Sequence, residues 1–298
     1  MGMNVKKNKG IGFIIILICY IVATWIGVEA YQNLTGVLWF KLLIADVAAT
    51  LCIWALSLVL QNASLYDPYW SVQPMVILIL LLIKNGTYDF GSLLLCSVIL
   101  FWGIRLTANW AYTFEGLSSQ DWRYDQLKNQ TGRLYQLVNL VGIQMMPTFI
   151  VFLCILPAVY YMELGNVFSY RSLIGLMISI SGALLQMIAD LQMQSFRKNN
   201  ADKTRIIREG LWKYSRHPNY LGEILMWWGI YLTFIVVHVD KWLFGIGAFI
   251  NTLLFLFISI PMAEKHLAGY KEGYEDYCKE TRKLLPFPKY SLILKHGD

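Results

Sequence analysis

The stretch "YSRHPNYLGEILMWWGIYL", Tyr214 to Leu232, joins two things that seldom adjoin in a soluble protein. A cationic and aromatic approach (Tyr214, Arg216, His217) runs without a spacer into an apolar run of helical length. Asn219 opens that run, and Glu223 lies one turn further in. A charged side chain at membrane depth costs roughly 2.5–3.5 kcal/mol on insertion scales, so a function or a buried partner stands behind it. Pro218 suits the first turn of a helix, where its missing N–H is no loss.

Working outward, apolar runs recur on both sides. Of the 298 residues, 57% are hydrophobic and 15% are charged. A spanning helix needs about 20 mainly apolar residues. Eight candidates are present, at 11–30, 38–61, 69–83, 90–112, 135–162, 171–193, 220–238 and 241–262, the third being short. The sequence therefore predicts an all-α, polytopic transmembrane bundle of seven to eight spans, with cytoplasmic basic loops and an amphipathic C-terminal tail. The first span lacks the small-residue cleavage site that would make it a signal peptide. Of the 25 Lys and Arg, 20 fall in the N-terminal segment, 113–134, 194–219 and the tail. The positive-inside rule places these segments and both termini in the cytoplasm. The net charge of +6 then reflects topology and anionic lipid rather than nucleic acid. Five scattered cysteines and four distant histidines show no metal-ligand spacing, so no metal is expected.

Four groups of polar residues mark the span ends. In "GALLQMIADLQMQSFRKNN", Gln186, Asp190 and Arg197 share one helical face. Such a stripe suits ribose hydroxyls and phosphate, or else an interhelical polar contact with Arg197 snorkelling to headgroups. In "KTRIIREGLWKYSRHPNY", seven Lys/Arg between 194 and 219 alternate with Trp212, Tyr214 and Tyr220. They form either a positive-inside face or a pocket for an anion and a ring. In the tail, His266 and Tyr270 stand one turn apart on a helix expected to lie on the membrane and close over the cytoplasmic mouth. In "SLYDPYWSVQP", Asp67 before Pro68 reads as an ordinary N-cap, with Tyr66, Tyr69 and Trp70 as interface anchors. Arg105, inside "FWGIRLTANW", is a further intramembrane charge.

The string "GLWKYSRHPNYLGE" resembles the steroid 5-alpha-reductase C-terminal family, in its bacterial uncharacterised membrane-protein branch (DUF1295-like), over about 60–290. The resemblance implies N-terminal transmembrane helices over 1–60 and a reductase-like membrane domain over 61–298. It implies an oxidoreductase of a bacterial inner membrane that uses NADPH to reduce a carbon–carbon double bond conjugated to a ketone, in a steroid- or lipid-like substrate entering from the bilayer. Carried over residue by residue, the cofactor set becomes Gln186 (where the family has Asn), Asp190, Arg197, Arg205, Tyr214, Arg216, His217, Asn219, Glu223, His266 and Tyr270. The carbonyl-holding Glu of the eukaryotic enzymes falls on Asp67, which with Tyr66, or else Tyr69, is expected to polarise the carbonyl. Their partner Tyr falls on Trp102, which cannot protonate an enolate, and this departure argues against steroid specificity. The RHPNY segment is also similar to membrane methyltransferases that bind S-adenosylmethionine. Those carry an adjacent Glu–Glu pair where this chain has Glu264 and Lys265.

Overall fold

The computed structural model describes residues 6–86, 88–165 and 168–286. Lys289 and Lys295, counted above among the tail's charges, lie outside the described residues. The chain is helical, with no strand among the described residues, only an isolated bridge between Ser215 and Arg282. Among the described residues, seven helices are long and apolar enough to cross a membrane, so the chain is an integral membrane protein. The chain divides into two compact units, Met1–Asn166 and Val167–Asp298.

In the first unit, α1 (Lys9–Asn33) and α2 (Leu38–Leu60) form a hairpin. Asn8 caps α1 by accepting from the Ile11 amide at 3.1 Å. Ile14, Leu17, Ile18, Ile21 and Trp25 of α1 are exposed, as lipid-facing side chains must be. A short 3-10 helix, Ala63–Tyr66, leads into α3 (Tyr69–Asn85), which stops at Gly86 in the left-handed region (φ 63°). α4 (Phe90–Thr113) is capped by Asp89, and α5 (Trp122–Thr131) by Asp121. A π-helical stretch, Asn139–Met145, then enters α6 (Met146–Glu163). It carries Gln144, wholly buried and donating to Ser57 Oγ at 3.2 Å and Asn139 Oδ1 at 3.1 Å.

In the second unit, α7 (Ser172–Asn199) lies along α8 (Pro218–Ile235). The cause is small residues on both helices. A Cβ on Gly182 would strike the backbone of Gly222 and Met226, and one on Gly229 would strike Ser179 and Gly175. Without a hydrophobic force between helices in lipid, such backbone approach supplies the packing. Ser179 donates to the Met226 carbonyl at 2.9 Å and Ser172 to the Thr233 carbonyl at 3.0 Å across the same seam. α8 is not among the seven long apolar helices, and its first two turns carry Asn219 and Glu223. The final apolar run is broken into α9 (Ile246–Leu254), a π-helical stretch Phe255–Ser259 and α10 (Ile260–Ala268), followed by the short α11 (Tyr274–Glu280). α7 continues six residues beyond the expected end at 193, so Arg197 rides on the same helix as Gln186.

Candidate functional site

The close approach of α7 and α8 delivers the first predicted pair. Gln186 Nε2 donates to Glu223 Oε2, and Trp227 Nε1 donates to Glu223 Oε1 at 2.7 Å. Both side chains of the pair are buried. Each oxygen of the Glu223 carboxylate thus has a donor from the protein, which answers why a charge sits inside this helix. Asp190, one turn further along α7, is half-buried, and Asn219 is half-buried at the start of α8.

Arg216 and His217 are held differently. Arg216 is 8% exposed, and its Nε and Nη2 reach Glu264 Oε1 at 2.9 and 2.7 Å. Its Nη1 donates to the Thr281 carbonyl at 2.6 Å and the Cys278 carbonyl at 3.2 Å. His217 Nε2 lies 3.2 Å from the same Glu264 oxygen, and its ring stacks on Tyr220. One guanidinium therefore ties the approach segment, α10 and the tail together. The tail folds back on 204–216. Arg208 pairs with Glu280 at 3.0 Å, Tyr277 Oη donates to the Trp212 carbonyl at 2.6 Å, and the Arg216 amide donates to the Arg282 carbonyl at 2.9 Å. Glu264 is the residue sequence reasoning passed over. Its signal was that it is the only acid on α10.

Between the end of α7, the 200–216 loop and the tail lies a cavity of about 600 Å³, within the range of small-molecule sites. Arg197, Lys203, Arg216 and Lys271 line it with Phe196, Trp212, Tyr270, Tyr274 and Tyr277, and Asp202 is its acid. Trp212 is pinned to α7 by donation to the Ala189 carbonyl at 3.0 Å. Gly210 makes the turn possible, with φ at +56° and the Gln192 side chain where a Cβ would be. Lys271 Nζ donates to the carbonyls of Lys203 (2.8 Å) and Arg205 (2.6 Å), which shapes the rim. Partial burial, together with the nearby Arg197 charge, holds the Lys271 ammonium below the usual lysine range. Burial raises the Tyr274 and Tyr277 phenols, which remain neutral. Of the predicted set, Arg197, Arg216 and Tyr270 line this cavity. Arg205 is exposed and donates to Asn200 Oδ1 at 2.9 Å, Tyr214 is exposed, and the His266 ring lies tilted at 60° to that of Tyr270 with centroids 5.1 Å apart. Asp190, Asn219 and Glu223 are not in its wall.

In the first unit, the capping expectation for Asp67 is corrected. Asn62 caps the 3-10 helix by accepting from the Ser64 amide at 2.8 Å, Pro68 stands at the N-cap of α3, and Asp67 itself has helical backbone angles. Its carboxylate is thereby released, and Oδ1 accepts from Tyr124 Oη at 2.6 Å. Tyr66 does not face Asp67 with its hydroxyl, which lies 2.7 Å from Thr148 Oγ1. Trp102 is fully buried against Trp70. Tyr124, 57 positions from Asp67, escaped sequence reading because nothing in local spacing connects α5 to the 3-10 turn.

The fold and the site together define a helical membrane protein with a basic, aromatic pocket built at the end of two closely packed helices. The chain belongs to the DUF1295 family, a family described as proteins of unknown function, whose model matches residues 53–281. It is 31% identical over 126 residues to the steroid 5-alpha-reductase DET2 of Gossypium hirsutum, covering 42% of this chain and 45% of that protein. It is 28% identical over 117 residues to 3-oxo-5-alpha-steroid 4-dehydrogenase 1 of Bos taurus, covering 39% and 42%. An uncharacterized protein of Schizosaccharomyces pombe is 26% identical over 206 residues, 60% of each chain. The match thus spans less than half the length of the steroid-reductase relatives. No solved structure matches the chain.

Proposed function

We propose that this protein is an integral-membrane reductase that adds hydride from NADPH to the conjugated C=C bond of an apolar enone drawn from the bilayer. The observation that carries the proposal is the basic, ring-lined cavity of the second unit, in a chain whose relatives are named steroid reductases. The residues fit a dinucleotide. Arg197, Lys203 and Lys271 supply cations for phosphate, the depressed Lys271 marks a place where an anion is wanted, and Trp212 and Tyr270 offer faces for a ring. Asp190 and Asn219 are proposed to hold the ribose and amide ends, while the Gln186–Glu223 pair orients the α7–α8 seam beneath them. When bound, NADPH supplies the hydride, and the protein supplies orientation and electrostatics.

The other role proposed for the chain is to polarise the enone carbonyl. Tyr124 donates to Asp67 Oδ1 and the Ser64 side chain is a further partner of the same carboxyl group, which is proposed to carry a proton toward a carbonyl oxygen and stabilise the developing negative charge. Tyr124 in this way provides the tyrosine that Trp102 does not, and it replaces Tyr66 as the proposed partner. The two N-terminal helices, 1–60, are proposed as an addition to the reductase-like domain over 61–298.

Charge reversal at the cavity tests the nucleotide reading. Arg197→Glu should weaken NADPH binding by tenfold or more, since charge-assisted hydrogen bonds contribute about 1.5–3 kcal/mol. Lys198→Glu, exposed on the same helix but outside the cavity wall, is the control. Equal affinities for the two variants would remove the phosphate from this cavity.

The orientation is proposed from the charge distribution, with the 194–219 loop on the cytosolic side. A cysteine introduced at Lys203 should react with an impermeant maleimide only after the membrane is opened. Labelling of intact cells would reverse the topology and deny a cytosolic cofactor its access.

A further inference from the structure

The first unit contains a second cavity that the reductase reading does not use. It holds about 370 Å³ between α1, α2 and α3, and aliphatic side chains make most of its wall. One carboxylate lines it. Asp46, eight residues into α2, is 3% exposed. At 1.5 Å per residue this is roughly 12 Å along the helix, well inside a hydrocarbon core of about 30 Å. Its Oδ2 accepts from Gln73 Nε2 at 2.6 Å. Its Oδ1 is buried and has no hydrogen-bond partner among the described residues. The far end of the cavity is bounded by Tyr31 and Lys84, whose Nζ donates to the Tyr31 hydroxyl at 2.6 Å.

We infer that this cavity is a binding site for an apolar alcohol, with its hydroxyl on Asp46 Oδ1 and its hydrocarbon body between α1 and α3. An intramembrane carboxylate is expensive and is kept for a partner. Gln73 satisfies one oxygen and leaves the other without a donor, on a side chain that lines an apolar space of ligand size. If Asp46 is ionised, Oδ1 requires a donor, and if it is protonated there, Oδ1 requires an acceptor. A hydroxyl is the group that meets both conditions. A metal ion is not the occupant, because no group of three or more His, Cys, Asp or Glu side chains is placed to hold one among the described residues. Asp46 precedes the family-matched region at 53–281, while its partner Gln73 lies within it.

The test is equilibrium binding of tritiated farnesol to the full chain in lipid nanodiscs, with no nucleotide present, so that its outcome is independent of the reductase reading. Farnesol should bind saturably, and the hydrocarbon farnesene should compete at least tenfold more weakly. Asp46→Ala should weaken farnesol binding by tenfold or more, because it leaves the hydroxyl without its charged partner. Asp46→Asn should restore most of the affinity, since its oxygen keeps accepting from Gln73 and its NH2 can donate to the hydroxyl. Val76→Trp, which fills the cavity from α3 and leaves the Asp46–Gln73 bond in place, should abolish binding. The inference is overturned if wild type shows no saturable binding, if farnesene competes as well as farnesol, or if Asp46→Ala binds like wild type. Should Asp46→Ala fail to fold, the farnesene comparison and Val76→Trp still decide.

Discussion

Asp67→Asn should lower enone turnover by about 10²–10³ while leaving the melting temperature and NADPH affinity unchanged, as expected for loss of one preorganised donor to a developing oxyanion. The size of the effect follows from what each side chain offers. Asn keeps the shape and still accepts from Tyr124 at the position where Asp67 Oδ1 now does so at 2.6 Å. It presents an amide where the carboxylic acid presented its proton, and an amide is the weaker donor. Because Asp67 does not cap α3, the substitution carries no capping cost that would confuse the comparison. Tyr124→Phe should give a smaller loss, since it frees the carboxyl group to rotate but leaves its proton available. An Asp67→Asn protein with wild-type turnover on a working enone would take the carbonyl away from this residue.

Arg216→Ala should destabilise the second unit by about 3–5 kcal/mol, the range for breaking a buried ion pair by removal of one partner. The guanidinium is 8% exposed and the Glu264 side chain 19%, so solvent screens the pair little. Removal leaves the Glu264 carboxylate with His217 alone, and it strips donors from the Cys278 and Thr281 carbonyls. Arg216→Lys should recover only part of the loss, because an ammonium cannot span Glu264 and two carbonyls as a planar fork does. Thermal unfolding in detergent reads the effect directly. A melting temperature for Arg216→Ala within about 2 °C of wild type would mean that the tail is held by its other contacts.

What was legible in the sequence was what depends on near neighbours. Apolar run length marked the spans. The four-residue spacing of Asn219 and Glu223 located the mouth of α8. What escaped depends on contacts far apart in the chain. Asp67 looked like a cap because a proline follows it, yet the 3-10 turn before it brought its own cap in Asn62 and turned the carboxylate toward Tyr124. Arg216 read as a cofactor-binding cation in a basic loop, and its commitment to Glu264 and the tail, 48 to 65 positions away, has no local signature. Glu223 read as a cofactor ligand, while the structure gives both its oxygens donors from within the seam. Asp46 carried no motif at all, and only the folding of α1 and α3 around it makes it notable.

The central claim is that the basic, aromatic cavity of the second unit serves a nicotinamide dinucleotide phosphate. The most direct measurement is a titration of the purified full-length protein in nanodiscs with NADPH and, separately, with S-adenosylmethionine, followed by the quenching of intrinsic tryptophan fluorescence and by calorimetry. The account predicts saturable NADPH binding that Arg197→Glu weakens by tenfold or more, with no saturable binding of S-adenosylmethionine. Saturable S-adenosylmethionine binding with no response to NADPH would contradict it and move the protein to methyl transfer.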